Sequence, residues 1–118
     1  MASEWYAVAD DGKARVITLS VPMQVDSADF DKLHERVLDQ ITAAPGYRWV
    51  IDLSALAYMG SSVLGLLVNI RERVRQANGK LALCGLNARL QQVFRTCSLE
   101  RLFVIRGGRA EAIDVVSR

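Results

Sequence analysis

Residues 50–67 form the junction that most constrains what this chain can fold into: an apolar run, a short connection and an amphipathic stretch. The run is rich in β-branched residues, which is typical of a strand covered on both faces. After Gly60 the apolar residues recur at steps of three and four, which predicts a helix whose inner face carries Val63, Leu67, Ile70, Val74 and Ala77. Ser61 and Ser62 therefore stand at a helix N-terminus, where unpaired backbone N–H groups and the helix dipole favour an anion such as phosphate.

The rest of the chain predicts an α/β fold with a mixed sheet. Residues 5–9 and 14–19 flank an Asp-Gly turn and predict an N-terminal antiparallel hairpin. The order strand, helix, strand over residues 50–85 implies a parallel pair of strands joined by a right-handed crossover. Strands and helices then alternate to the C-terminus, with a last strand over Leu102–Ile105 and a final helix after residue 108, whose inner face would carry Ala112, Ile113 and Val116.

Capping residues mark the starts of two further helices. Asp26 or Ser27 can accept a hydrogen bond from a free N–H group of the helix that follows, whose buried stripe would be Phe30, Leu33, Val37, Leu38 and Ile41. Asn87 can cap the next helix in the same way, with Leu90, Val93, Phe94 and Cys97 facing inward. The Asn78-Gly79 pair predicts a left-handed end for the helix before it.

Composition and charge disfavour several classes of function. The chain has 118 residues, 51% of them hydrophobic, which is enough for one core, so we expect a single domain over residues 1–118. The net charge of +2 comes from 15 basic and 13 acidic residues that form no basic block, which argues against a nucleic-acid partner. The chain has neither an apolar run of about 18 residues nor a basic and apolar leader, so we expect a cytoplasmic protein without a membrane partner.

Residues suited to catalysis or metal binding are scarce. Cys84 and Cys97 have no CxxC spacing and no histidine cluster, so we expect both to be core thiols. His34 is the only imidazole and has no nearby nucleophile on its predicted helix, which indicates an exposed or partly packed residue. The sequence therefore predicts a protein that is not an enzyme and holds neither a metal nor a cofactor.

The Gly60–Gly65 segment partly matches two catalytic motifs, but it lacks residues that each motif requires. Its glycine spacing matches that of a P-loop, yet Leu66 and Leu67 stand where a lysine and a hydroxyl must hold phosphate and magnesium. The G-x-S-x-G spacing of a nucleophile elbow is also not met.

The order and spacing of these segments resemble the STAS domains of bacterial anti-sigma factor antagonists, also called anti-anti-sigma factors. The family's apolar strand and its Asp-Ser-Ser-Gly-Leu-Gly motif are echoed by Val50–Leu53 and Gly60–Gly65. Its following glycine, second strand and late Gly-Leu pair are echoed by Gly79, Leu81–Cys84 and Ser98-Leu99. The resemblance runs nearly end to end and implies a STAS-type fold.

The resemblance also implies a function in transcriptional regulation. Members of this family are usually switched by a serine kinase that is also the anti-sigma factor: the unmodified antagonist binds the kinase and frees the sigma factor, and the phosphorylated antagonist does not. Carried over by position, Ser61 is the phosphoacceptor, and the partner-binding surface includes Asp26, Ser27, Gly60, Ser61, Ser62, Leu64, Gly65 and Asn87.

Three residues depart from the family's pattern. Gly60 replaces the Asp before the acceptor, Val63 replaces the Gly after the serines, and Ser98 replaces the Gly of the late pair. Exchanging an Asp cap for Gly costs only a few tenths of a kcal/mol, so the fold is expected to tolerate it. Recognition is more sensitive, because the missing carboxylate can contact a kinase and Val63 adds bulk at the rim of a docking surface.

Other interpretations stay open at this stage. Taken locally, Ser61, Ser62 and Asp26 are also what simple helix capping would require. The chain could serve as a STAS accessory or scaffold subunit of an ATPase, a transporter or a signalling assembly, or bind a nucleotide at the N-terminus of its central helix. The sequence also leaves open whether the protein forms a weak homo-oligomer.

Overall fold

The computed structural model describes residues 5–22 and 24–118, and its centre is a five-stranded sheet with helices on both faces. The first two strands are antiparallel and every later neighbour is parallel, which confirms the predicted mixed sheet with an N-terminal hairpin. In spatial order, which is also chain order, the strands are β1 (Tyr6–Asp11), β2 (Ala14–Leu19), β3 (Arg48–Asp52), β4 (Lys80–Cys84) and β5 (Ile105–Arg106).

Four α-helices are described: α1 (Ser27–Thr42), α2 (Ser61–Gln76), α3 (Ala88–Thr96) and α4 (Arg109–Val116), with a 3₁₀ turn at Leu99–Arg101. Side chains alternate between the two faces of each strand, so each face of the sheet builds its own core. The larger core contains Ile17, Ile51 and Leu83 and is covered by α1, α2 and α3. The smaller core contains Val16, Val50 and Ala82 and is covered by α4.

The predicted inner faces of the helices are largely confirmed. On α1 the buried residues are Phe30, Leu33, Val37 and Ile41, while Leu38 is half-buried; on α2 they are Val63, Leu66, Leu67, Ile70 and Val74. His34 is half-buried on α1 and hydrogen-bonds through Nε2 to Asn69 Nδ2 at 2.9 Å, as a partly packed residue should. In the part of the chain that the structure describes, no helix is long and apolar enough to cross a bilayer.

The segment after α3 differs from the prediction. The last strand is Ile105–Arg106, not Leu102–Ile105, because the chain first passes through the 3₁₀ turn and reaches β4 only at residue 104, whose carbonyl accepts from Leu83 N at 2.8 Å. Cys97 is exposed rather than a core thiol, because α3 ends at Thr96 and Cys97 forms its C-cap. Cys84 is buried, as expected. Val93 and Ile113, expected to face inward, are only half-buried.

Two residues other than glycine adopt a left-handed backbone among those described, Asn78 with φ 59° and Ser98 with φ 56°. The left-handed end predicted for the Asn78-Gly79 pair is therefore confirmed, at Asn78. Gly79 is needed for a different reason: a Cβ there would lie 2.6 Å from the carbonyl oxygen of Tyr47. At Ser98 the resemblance to the family leads one to expect a glycine, and the φ of Ser98 lies in the region that glycine adopts without strain.

Candidate functional site

The N-terminus of α2 exposes two hydroxyls beside unpaired backbone donors. Ser61 and Ser62 are the first two residues of the helix, and both are exposed. The N-cap is Gly60, which has no side chain to accept a hydrogen bond, and the first turn contains no acidic residue. The first N–H groups of a helix have no intrahelical acceptor, so they and the positive end of the dipole stay available to an anion here.

A hollow of about 430 Å³ lies directly against these hydroxyls. One wall is the segment from Gly60 to Val63 at the start of α2, and the other is the β2–α1 loop with Phe30 behind it. The ring of Tyr58, whose residue is 43% exposed, also contributes to the lining. This hollow, which we call the serine hollow, is lined by the two hydroxyls and by apolar residues such as Val25, Phe30 and Val63.

Asp26 is held at the start of α1, where the β2–α1 loop ends. Its Oδ2 accepts a hydrogen bond from Ala28 N at 3.1 Å, so it is the N-cap of α1 as predicted. Its neighbours Gln24 and Val25 line the serine hollow, whereas Asp26 and Ser27 are exposed just outside the described lining. Asp26 therefore follows directly after Val25, which lines the serine hollow together with Ser61, 35 positions after Asp26 in the sequence.

The other residues expected on the surface of α2 differ in burial. Gly65 is exposed, and a Cβ placed there would meet nothing within 4 Å. Leu64 is half-buried and packs against the larger core. Val63 was expected to add bulk at the rim, but only 7% of it is exposed, and it forms part of the inner wall of the serine hollow. Its main role is therefore packing.

Asn87 ties α3 to the connection that leads to Ser61. Its Oδ1 accepts from Leu90 N at 2.8 Å, which confirms the predicted cap of α3. Its Nδ2 lies within hydrogen-bond distance of two carbonyl oxygens of the β3–α2 connection, 3.2 Å from Leu56 O and 3.3 Å from Ala57 O. Since the side chain uses both its acceptor and its donor within the fold, Asn87 positions this connection.

A partly buried ion pair supports the other end of the same connection, and sequence reasoning missed it. Asp52 is 6% exposed and is the last residue of β3. Its Oδ2 accepts from Arg109 at 2.8 Å (Nη2) and 3.3 Å (Nε), and its Oδ1 accepts from Ser54 N at 2.9 Å. The signal in the sequence was a carboxylate directly after a buried apolar run, but its partner lies 57 positions away and no local pattern names it.

Burial and hydrogen bonding shift the pKa values of Asp52 and of Cys84 beside it. Burial alone would raise the pKa of the Asp52 carboxyl, but the hydrogen bonds from Ser54 and Arg109 outweigh burial and lower that pKa below its usual value. Cys84 lies beside Asp52 on the adjacent strand β4. Burial raises the pKa of the Cys84 thiol to about 11, and the charge of Asp52 acts in the same direction. Cys84 is therefore a protonated core thiol at neutral pH rather than a nucleophile.

Arg109→Ala is expected to lower the free energy of unfolding by about 1–3 kcal/mol at neutral pH, because Asp52 loses both charge-assisted hydrogen bonds from the guanidinium. We expect a loss in the lower part of this range, because the Arg109 side chain is 41% exposed and solvent weakens an ion pair at the surface. Because the folded-state pKa of Asp52 is lowered, its contribution is present above the unfolded pKa and is lost as pH falls through the folded pKa. Urea denaturation from pH 7 into the acid range measures this, with Arg36→Ala on the exposed face of α1 as control. A loss that does not shrink in acid would contradict the ion-pair explanation.

Comparisons with known proteins extend over most of this chain. A family model described as the STAS domain matches residues 7–112. The anti-sigma-B factor antagonist of Listeria monocytogenes is 30% identical over 95 residues, which cover 80% of this chain and 82% of that protein.

Among solved structures, an anti-sigma factor antagonist domain from Planctomyces limnophilus superposes with a TM-score of 0.82 at 19% identity, covering 96% of this chain and 98% of the other. The Bacillus cell fate determinant SpoIIAA in its phosphorylated form gives a TM-score of 0.67 at 19% identity, covering 94% and 98%. At these identities the two structures show a shared fold.

Proposed function

The chain belongs to the STAS domain family, and we propose that it is an anti-sigma factor antagonist that works by partner switching, with Ser61 as the switch. In this proposal the unmodified protein binds a serine kinase that is also the anti-sigma factor, and phosphorylation of Ser61 releases it. The observation that carries the proposal is the exposed Ser61 hydroxyl at an uncapped helix N-terminus, in the acceptor position of the family's motif.

The local structure supports phosphate at Ser61. A phosphoserine adds about −1.5 to −2 charges and three acceptor oxygens. At the first position of α2 those oxygens would lie beside free N–H groups and the positive end of the dipole. The modification is therefore compatible with the folded domain, and the shared fold of phosphorylated SpoIIAA supports the same view.

The backbone at Gly60 would accept the Asp that the family's motif has at this position. Gly60 has a φ of −95° and a ψ of −175°, which any residue adopts, and a Cβ there would meet only the Tyr58 ring at an ordinary 3.6 Å. Glycine is therefore not required at this position for steric reasons. We infer that its effect is on recognition, because it leaves the surface around Ser61 without the carboxylate that the family's motif places there.

The serine hollow supports a protein partner. Its apolar lining and the exposed Tyr58 ring provide contact area, and the hydroxyls of Ser61 and Ser62 stand at its edge. A partner seated there would cover Ser61 while it is neutral. The name of the Listeria relative denotes an antagonist of another protein, and the proposal accordingly assigns no catalytic step to this chain. A cytoplasmic location belongs to the same proposal.

Affinity capture from the native cell tests the proposal. The unmodified protein is immobilised, and retained proteins are identified by mass spectrometry. We expect an ATPase-type serine kinase with anti-sigma activity to be retained by the wild type and lost with Ser61→Asp. Retention of transporter or ATPase subunits in its place would favour an accessory subunit. Titration with ATP and GTP, for which a protein-binding module should show no saturable binding, tests the nucleotide-binding alternative.

Asp26→Ala is expected to weaken binding of the captured partner and to cost about 0.5–2 kcal/mol of stability through the lost cap of α1. Asp26→Asn is the matched variant, because Asn caps a helix as well as Asp does but carries no charge. If the carboxylate contacts the partner, both variants bind less tightly and only Asp26→Ala is less stable. Thermal denaturation and a binding titration separate the two effects. Unchanged binding by both variants would show that Asp26 is only a cap.

A further inference from the structure

In the part of the chain that the structure describes, no strand pairs with the outer edge of β5, and exposed apolar residues lie beside it. β5 is the end strand of the sheet, and it pairs with β4 through only two residues, Ile105 and Arg106. Leu102 and Val104, which lead into it, are each 42% exposed. Exposed apolar residues next to an unpaired strand edge invite a further strand, and natural proteins usually shield such edges.

The backbone groups at this edge can be assigned from the ladder. The Val104 carbonyl faces β4, since it accepts from Leu83 N at 2.8 Å. Carbonyl and N–H directions alternate along a strand, so those of Ile105 face outward. The outward carbonyl of Ile105 accepts a hydrogen bond from the Arg106 guanidinium at 2.9 Å. Among the described residues, the exposed side chain of Arg106 is the group that shields this carbonyl.

A hollow of about 600 Å³ runs between α3 and β5, and we call it the edge groove. Its apolar lining includes Leu86, Phe94, Phe103 and Ile105. The rings of Phe94 and Phe103 pack edge to face with centroids 5.8 Å apart, which gives the groove a rigid floor. A volume of this size accommodates one or two large apolar side chains. It shares no lining residue with the serine hollow.

The charges around this edge are mainly positive. Arg95 and Arg106 line the edge groove together with a single acid, Glu100. A smaller hollow of about 200 Å³ on the other side of Leu102 and Val104 adds two more cations, Arg71 and Arg75, which share Glu72 as ion-pair partner. Among the residues that line the edge groove itself, two guanidiniums against one carboxylate leave a net positive rim around an apolar floor.

We propose that the edge groove binds an extended acidic and apolar peptide segment of a partner protein, which adds a sixth strand to the sheet along β5. The N–H and carbonyl groups of Ile105 would pair with the peptide backbone. Apolar side chains on one face of the peptide would enter the groove above Phe94 and Phe103. Side chains on its other face would carry carboxylates to Arg106, whose guanidinium leaves Ile105 to bind them.

The test uses the full chain and a defined probe, an acetylated eight-residue peptide in which Glu alternates with Val and Phe. Saturable binding is expected, with ¹⁵N-detected shifts confined to residues 86–107. Replacing Glu by Lys in the peptide, or methylating the backbone nitrogens on its pairing edge, should each weaken binding about tenfold or more. Arg106→Glu should do the same, whereas Arg36→Glu on α1 should not. Ser61→Asp should leave binding intact, which separates this result from the fate of the proposed switch.

Several results would overturn the proposal. The edge groove is not a peptide site if binding is absent, if the Lys peptide binds equally well, or if the shifts map to the serine hollow. Backbone methylation without effect would exclude strand addition. Sedimentation that shows a concentration-dependent dimer, abolished by Val104→Glu, would assign the edge to a second copy of this chain instead.

Discussion

Leu67→Ala is expected to lower the free energy of unfolding by about 2–5 kcal/mol, which is a large share of the stability of a domain of this size. Leu67 is fully buried on the inner face of α2, within the larger core. Truncation removes its transfer free energy and leaves a cavity that close-packed neighbours fill only in part. The same experiment tests whether the buried face of α2 has been assigned correctly. That assignment also decides which face of this helix, which begins at Ser61, is open to a partner.

Chemical denaturation followed by circular dichroism measures this loss. Gln76→Ala, at the exposed end of the same helix, is the control and should change stability by no more than about 0.5 kcal/mol. A loss below about 1 kcal/mol for Leu67→Ala would mean that α2 presents a different face to the sheet.

Ser61→Asp is expected to weaken binding of the captured kinase about a hundredfold or more while leaving the domain folded. An anion at the first position of α2 interacts favourably with the helix dipole, so the stability should stay equal or rise by about 0.3–1 kcal/mol. The partner surface, in contrast, would have to bury a charge without a matched cation, which costs several kcal/mol. A hundredfold loss of affinity corresponds to about 2.8 kcal/mol, well within that cost.

Ser61→Ala separates charge from the loss of the hydroxyl. It should bind the partner nearly as well as the wild type and should not respond to ATP, because it cannot be phosphorylated. Isothermal titration with the two variants and the wild type gives the comparison. Tight binding by Ser61→Asp would show that charge at this position does not control the complex.

Most of the fold could be predicted because its signals are local. The apolar run before Asp52, the periodicity of α2 and the caps at Asp26 and Asn87 each lie within a few residues of the element that they define. The errors in the predicted secondary structure lie where one stretch of sequence is compatible with two kinds of local structure. An apolar stretch after α3 suggested a strand from Leu102, but a 3₁₀ turn delays pairing until β5.

The hydroxyls of the candidate site could be predicted from the sequence, but the long-range contacts that hold the β3–α2 connection in place could not. Ser61 follows a glycine and precedes an amphipathic helix, which is a pattern within one window of sequence. The Asp52–Arg109 pair and the bonds from Asn87 to the β3–α2 connection join residues that are 57, 31 and 30 positions apart. Such contacts depend on how the elements pack, so no periodicity or motif in a single sequence announces them.

The central claim, that Ser61 is the switch, is tested most directly by phosphopeptide mapping after incubation with the captured kinase and ATP. Wild type and Ser62→Ala are treated in parallel, since the two hydroxyls are neighbours and both are exposed. The account predicts phosphate on Ser61 in both proteins and none in Ser61→Ala. Phosphate on Ser62 alone, or no phosphate despite a tight kinase complex, would contradict it, and Gly60→Asp would then show whether the missing carboxylate is the cause.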